Sequence, residues 1–333
     1  MRGVVNTARI CAMLSGMRSV VSLAAIFLTS SAALCTRRPE PQPLPPETGA
    51  PADTSVGAGG DVGDIPAIGV RDASSDGASA PVADAGSTAP LDGGAWRPTR
   101  KTTWQWQLQG TIDTSFDVEM YDVDLFDVPA STVDLLHRAR RVVVCYFSAG
   151  SREPKRPDVA RFQPKEVGKV MDGWPGERWL DIRSKNIREI MRARLDLAVK
   201  KRCDGVEPDN VDGYDNETGF DLRAADQLDF NSFLADEAHK RGLSVGLKNA
   251  GDLAQKLEPR FDWALNEECA AKGECGKYRT FLGAGKQVFH VEYVDRMADA
   301  PRRLAAVCAR ADTQGFSTLV KLKLLGPERA ACP

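Results

Sequence analysis

From residue 102 onward, short apolar runs alternate with longer stretches whose apolar side chains recur at helical spacing. The short runs are Trp104–Leu108, Val118–Val123, Val142–Phe147, Trp179–Ile182, Gly205–Glu207, Ser244–Leu247, Trp263–Leu265, Val288–Val291 and Thr318–Leu322. Most are apolar with little polar interruption, the pattern of strands in a parallel sheet covered on both faces. Between them, Ser184 is placed to cap a helix with Ile187, Ile190, Met191, Leu195 and Ala198 on one face. Residues 224–241 set Leu228, Phe233, Leu234 and Ala238 at helical spacing, and Gly242 stops the helix. Ser131 starts a shorter helix, and Pro301 sits where a first helical turn tolerates proline.

Repeated strand–helix units over roughly 230 residues predict an α/β fold, a (β/α)8 TIM barrel. Nine runs are one too many, and Thr318–Leu322 is expected to lie outside the barrel. A doubly wound open sheet is the alternative, weakened because no Gly-rich nucleotide loop follows an early strand.

The preceding residues change character. Arg2, Arg9 and Arg18 lead into the apolar run Val20–Leu28, followed by small residues at 29–33. That order predicts a secretory signal peptide over residues 1–34, with cleavage after Ala32 or Ala33. Cys35 is an alternative, lipidated start, although Leu34 fits that motif poorly. Residues 35–101 are rich in Pro, Gly, Ala, Ser and Asp and too poor in large apolar side chains to fold, so a disordered linker is expected. The catalytic domain would then span 102–333. An exported protein follows, secreted or anchored to the cell envelope only through a lipid, and a monomer.

A net charge of −2 excludes a basic nucleic-acid-binding domain. His137, His239 and His290 have no ligand spacing, so neither a metal nor another cofactor is expected. Export permits disulfides. Cys269 and Cys275 read as a loop staple, and Cys308 and Cys332 as a clamp on the C-terminus. Cys145 and Cys203, beside apolar strands, read as buried free thiols.

In a barrel of this type the chemistry lies where the strands end. Those ends read Tyr121-Asp122-Val123-Asp124, Tyr146-Phe147-Ser148, Leu180-Asp181, Glu207-Pro208-Asp209-Asn210, Lys248-Asn249, Asn266-Glu267-Glu268 and Glu292-Tyr293. Singly, each carboxylate is as well explained as a helix cap or an acidic turn. Together they repel one another and cost stability unless they have a use. Without a His cluster, that use is carboxylate-pair chemistry, in which one carboxyl protonates a leaving oxygen and the other attacks or activates water. Tyr and Trp would stack on sugar rings, although Trp104 and Trp106 are equally placed for core packing.

The series Trp106-Gln107-Leu108, Cys145-Tyr146-Phe147-Ser148-Ala149-Gly150, Arg178-Trp179-Leu180-Asp181-Ile182, Asp204-Gly205-Val206-Glu207-Pro208-Asp209-Asn210, Gly246-Leu247-Lys248-Asn249, Asn266-Glu267-Glu268-Cys269 and Val291-Glu292-Tyr293 resembles glycoside hydrolase family 114. The resemblance covers nearly all of 103–293. It implies a (β/α)8 endo-α-1,4-polygalactosaminidase acting on cationic galactosamine polymers. It implies Asp209 as nucleophile and Glu267 as acid/base, with Asp124, Tyr146, Asp181, Lys248, Asn249, Glu292 and Tyr293 lining subsites. Glu207 would bind substrate or tune Asp209. Glu268 departs from the Gln expected at its place. A mouth crowded with carboxylates suits a cationic polymer. The competing readings are a non-catalytic carbohydrate-binding barrel and a metal-dependent hydrolase, the latter lacking ligands beyond His290.

Overall fold

A computed structural model describes residues 94–333. The expected signal peptide, Cys35 and nearly all of the expected linker lie outside the described residues. In chain order the strands are β1 (Trp104–Gln107), β2 (Met120–Asp124), β3 (Val142–Ser148), β4 (Ser151–Arg152), β5 (Val167–Met171), β6 (Trp174–Leu180), β7 (Gly205–Asp209), β8 (Ser244–Lys248), β9 (Trp263–Glu267), β10 (Val288–Tyr293), β11 (Phe316–Lys321) and β12 (Ala330–Ala331). The sheet order β1-β2-β3-β7-β8-β9-β10-β11-β12 is parallel except for β12, which returns antiparallel to β11. The eight parallel strands are those of a (β/α)8 barrel. At the seam, Trp104 Nε1 donates to Ser317 O at 3.1 Å and Lys321 Nζ reaches Gln105 Oε1 at 3.3 Å.

Two readings of the strands need correction. Thr318–Leu322 lies largely in β11, the eighth barrel strand, paired along its length with β10. The run Trp179–Ile182 is not a barrel strand: Trp179 and Leu180 end β6, in a separate antiparallel sheet of order β4-β6-β5. Both segments are short and apolar, so periodicity could not separate them. What distinguishes the second is local pairing: β5 and β6 form a hairpin across Asp172-Gly173, with Met171 opposite Trp174.

Strand alternation divides the core in two. Trp104, Trp106, Met120, Val144, Trp263, Leu265, Phe289, Val291 and Leu319 pack inside the barrel, joined by Trp96 from ahead of the first strand. Both Trp104 and Trp106 are thus core residues. Trp263 fills its place because β8 carries Gly246 beside it: a Cβ there would lie 2.2 Å from the indole. The opposite faces of the strands, with Val143, Phe147, Val206, Val245 and Leu247, pack against the helices.

Among those helices, α1 is Ala130–Arg138, α2 is Lys185–Lys201 and α3 is Ala224–His239. Helices α4 (Ala254–Leu257), α5 (Cys269–Lys272) and α6 (Arg279–Gly283) are short, and α7 is Ala300–Cys308 with Pro301 in its first turn. Helix α2 buries Ile187, Ile190, Met191, Leu195 and Ala198, and Ser184 Oγ accepts from Asn186 N at 3.1 Å as its cap. Among the described residues no helix is long and apolar enough to cross a membrane.

Among the described residues three disulfides are present: Cys269–Cys275, Cys308–Cys332 and Cys145–Cys203. The third corrects the reading of Cys145 and Cys203 as free thiols. That error follows from the strand error. With a barrel strand supposed at 179–182, the strands holding these cysteines would not be neighbours. In the structure β3 pairs directly with β7, Cys145 opposite Val206, and Cys203 lies two residues before β7. The bridge closes a loop of 58 residues. Replacing both cysteines by alanine is expected to lower the unfolding free energy by about 2–4 kcal/mol, read from urea denaturation. Unchanged stability would contradict the bridge.

Candidate active site

The ends of β7, β8 and β9 carry Asp209, Lys248 and Glu267. The residue after each has a positive φ: Asn210 at 59°, Asn249 at 45° and Glu268 at 60°. Such backbone is costly for a residue with a Cβ and is least so for Asn. Three sharp turns in the same place end the three strands abruptly. Each turn is held by the neighbouring strand, as where Asn249 N donates to Leu265 O and Glu268 N to Val291 O, both at 2.8 Å.

Lys248 stands at the centre, 1% exposed. Its Nζ lies 2.8 Å from Glu207 Oε1, 3.3 Å from Asp209 Oδ2 and 3.3 Å from Glu267 Oε2. It also lies 4.7 Å from the centre of the Trp106 ring and 5.6 Å from that of Tyr146. Burial alone would favour neutral lysine, but the three carboxylates outweigh it and hold the ammonium well above its ordinary pKa.

The carboxylates are not equivalent. Glu207 is fully buried, whereas the side chains of Asp209 and Glu267 keep 15% and 24% of their surface, so only these two are open to a substrate. Burial first, then Asp209, pushes Glu207 up to about 7 against the pull of Lys248. Trp106 Nε1 donates to Glu207 Oε2 at 3.0 Å. Asp122, also fully buried, is raised well above the ordinary range by burial and by Glu207. Neither Asp122 oxygen has another hydrogen-bond partner, so a protonated Asp122 donating to Glu207 accounts for both groups.

Glu267 is a different case. Burial raises it, but Lys248, Tyr293 and Asn249 together bring it below the ordinary value. Tyr293 OH donates to Glu267 Oε1 and Asn249 Nδ2 to Oε2 at 3.1 Å, while Glu267 N returns a bond to Asn249 Oδ1 at 3.0 Å. Asp209 accepts from Tyr146 OH at 3.1 Å and from Asn210 N at 2.7 Å. Asp212, half-buried near Asp209, is raised by desolvation and that charge to about 6.

Of the residues expected from sequence, the strand ends gather Asp209, Glu267, Tyr146, Lys248, Asn249, Tyr293 and Glu207. Three others make their contacts elsewhere. Asp124 is ion-paired to Arg156 at 2.5 Å and accepts from Phe126 N and Asp127 N at a turn. Asp181 is held by Arg183. Glu292 is fully buried against His290, Arg303 and the N–H groups of Ala270 and Ala271. It points away from the barrel axis because its neighbours Val291 and Tyr293 point in. Cys269, Cys275 and His290 come close enough to share a metal ion, but the two sulfurs are bonded to each other.

From sequence, Trp106 reads as either a sugar platform or a core residue, not as a donor to Glu207, and Asp122 is named at a strand end without a role. Alternation would have found both: Trp106 and Asp122 are register partners on β1 and β2, and Asp122 stands two residues before Asp124.

A barrel whose strand ends oppose two accessible carboxylates across a buried cation has the parts of a glycoside hydrolase. The family model described as glycoside-hydrolase family GH114 matches residues 86–332. The chain belongs to this family and is a glycoside hydrolase. The crystal structure of Aspergillus fumigatus Ega3 in complex with galactosamine is similar at 46% identity and a TM-score of 0.69. That match covers 71% of this chain and 97% of that one. The glycoside hydrolase domain of PelA from Pseudomonas aeruginosa, at 12% identity and a TM-score of 0.57, shares the fold. It covers 69% of this chain and 97% of that one. A search of curated proteins found no match.

In Lys248→Met the ammonium that lowers Glu267 is gone, and the Glu267 carboxyl is expected to titrate at higher pH than in the wild type. Carboxyl-carbon NMR on glutamate-labelled protein reads this directly. An unmoved Glu267 would contradict the electrostatic account.

Proposed function

We propose that this chain is an exported endo-acting hydrolase of α-1,4-linked galactosamine polymers, with Asp209 as nucleophile and Glu267 as acid/base. The observation that carries this is the shared distance to Lys248. Asp209 Oδ2 and Glu267 Oε2 each lie 3.3 Å from the same nitrogen, so they are separated by no more than twice that. Retaining glycosidases hold their carboxyls about 5–5.5 Å apart, and inverting ones about 6.5–9.5 Å. The upper bound on these two atoms barely enters the inverting range, which favours retention.

In the first step an Asp209 oxygen attacks the anomeric carbon while the Glu267 proton passes to the departing glycosidic oxygen. The product is a glycosyl ester on Asp209 and a freed chain end. In the second step Glu267, now a carboxylate, takes a proton from water, whose oxygen attacks the same carbon and releases Asp209. Forming the ester removes the charge of Asp209. Lys248 then acts on Glu267 with one competitor fewer, which keeps Glu267 ionised and so able to accept the water proton in the second step. The depressed pKa of Glu267 in the free site means that its acid form grows as pH falls, so catalysis should favour acidic pH.

The substrate class rests on charge and on similarity. Asp209 and Glu267 face the opening, with Asp212 near Asp209 and Glu207 sealed beneath, against one buried cation, Lys248, an arrangement that draws a cationic polymer. Ega3, 46% identical, is described in complex with galactosamine. Export is supported by the basic–apolar–small order at the N-terminus and by three disulfides, which persist in oxidising compartments.

The test is reducing-end release from partly deacetylated α-1,4-galactosamine polymer, with the first-formed anomer followed by proton NMR. The wild type should release the α anomer, faster at pH 5 than at pH 8. Asp209→Asn and Glu267→Gln should each lose at least about a hundredfold. Full activity in either variant would overturn the assignment, and a β first product would overturn retention. Binding of the polymer without turnover by the wild type would favour the non-catalytic reading.

A further inference from the structure

The small sheet of β4, β5 and β6 occupies the place where a barrel strand was expected, and it is bonded to the catalytic end of β3. Leu180 N donates to Gly150 O at 2.9 Å, and Ser151 pairs with Trp179. Across the same junction β3 and β7 are pressed together. A Cβ on Gly150 would lie 1.8 Å from Asn210 O, and Ala149 N and Gly150 N both donate to Asp209 O, at 2.8 and 3.1 Å.

A chain of side-chain hydrogen bonds runs through this junction. Asn210 Nδ2 donates to Ser148 Oγ at 2.8 Å. Ser148 Oγ and Ser151 Oγ are 2.7 Å apart, and Ser151 Oγ donates to Glu177 Oε2 at 2.6 Å. Ser148 Oγ also accepts from Ser151 N at 3.1 Å. A hydroxyl has two lone pairs and one proton. Both lone pairs of Ser148 are taken, by Asn210 and by Ser151 N, so its proton must go to Ser151 Oγ. The Ser151 proton then goes to Glu177. The chain therefore has one direction and needs an acceptor at its far end. Ser148 and Ser151 are fully buried, so water cannot stand in for either.

We infer that Glu177, on the inserted sheet, is a positioning residue for Asp209, acting through Ser151, Ser148 and Asn210. Asn210 is the residue that matters most in between. Its backbone sits at a φ of 59°, and its N–H is bonded to Asp209 Oδ1 at 2.7 Å. Holding the Asn210 side chain holds that turn, and the turn aims the carboxylate. Glu177 is half-buried, and Asp209 is among the charges that it feels. The inserted sheet thus serves as a buttress for one side of the catalytic pair, and Glu177 is where the buttress takes hold.

This rests on reading Asp209 as the nucleophile, and the experiment separates the two. Glu177→Ala, Glu177→Gln, Ser151→Ala and the double variant Glu177→Ala/Ser151→Ala are compared with the wild type and with Asp209→Asn. The assay is hydrolysis of the α-1,4-galactosamine polymer, with thermal unfolding of each variant in parallel. Glu177→Ala and Ser151→Ala should each lower kcat about tenfold through loss of alignment, with KM little changed. Glu177→Gln, whose amide oxygen still accepts, should recover most of the rate. The double variant should be no worse than the poorer single one, because either change breaks the same chain. Wild-type kcat in Glu177→Ala, multiplied losses in the double variant, or equal damage in Glu177→Gln would each overturn the inference. Full activity in Asp209→Asn would instead overturn the reading on which it rests.

Discussion

One buried ammonium orders this molecule's active end. Lys248 is nearly inaccessible and touches three carboxylates on the two strands that flank its own, Glu207 and Asp209 on β7 and Glu267 on β9. Taking those charges out of water costs several kcal/mol per ion, and the attraction repays it only when the geometry is good and the remaining polar atoms are satisfied. The surroundings meet that condition. Glu207 gains the Trp106 N–H and a neutral Asp122, Glu267 gains Tyr293 and Asn249, and Asp209 gains Tyr146 and Asn210 N. The same arrangement divides labour by depth. Glu207 and Asp122 lie sealed beneath, while Asp209 and Glu267 keep an open side.

The fold supplies this arrangement through two devices. Gly246 lets Trp263 fill the barrel interior, a rigid floor beneath the charged layer. Above it, positive-φ residues directly after Asp209, Lys248 and Glu267 end three adjacent strands at the mouth. The cation and its two accessible partners therefore sit on a barrel rim rather than on flexible loops. Rim geometry of this kind keeps reacting groups within the small tolerances that catalysis needs. Two disulfides brace the strands that carry it. Cys145–Cys203 ties β3 to the approach of β7, and Cys269–Cys275 closes the loop just after Glu267.

Much of this was legible in the residues. Apolar runs and capped helices identified the barrel, and the polar ends of the runs identified Asp209, Lys248, Asn249, Glu267 and Tyr293 as belonging to one face. What was not legible depended on which strands are neighbours. Trp179–Ile182 is as apolar as a barrel strand, and only its hairpin partner reveals that it lies outside. That single misplacement hid the adjacency of β3 and β7, and with it the Cys145–Cys203 bridge. Asp124, Asp181 and Glu292 illustrate a second limit. A carboxylate at a strand end looks alike in sequence whether it faces the mouth, caps a turn beside Arg156 or anchors a helix on the outer face. Strand parity alone was enough to question placing both Glu292 and Tyr293 in the mouth, since neighbours on a strand point to opposite faces.

The central claim is that Lys248 and its carboxylates stand or fall as a unit, and a double-mutant cycle tests it most directly. The unfolding free energies of Lys248→Met, Glu207→Gln and the double variant are measured against the wild type. Each single change breaks the 2.8 Å buried pair: Lys248→Met, which leaves the carboxylates without their cation, is expected to cost about 3–5 kcal/mol, and Glu207→Gln less, because Asp209 and Glu267 still hold Lys248. The double change should cost less than the sum of the two by about 1–3 kcal/mol. Costs that simply add would contradict the account, because they would show Lys248 and Glu207 to be independent neighbours rather than the core of the site.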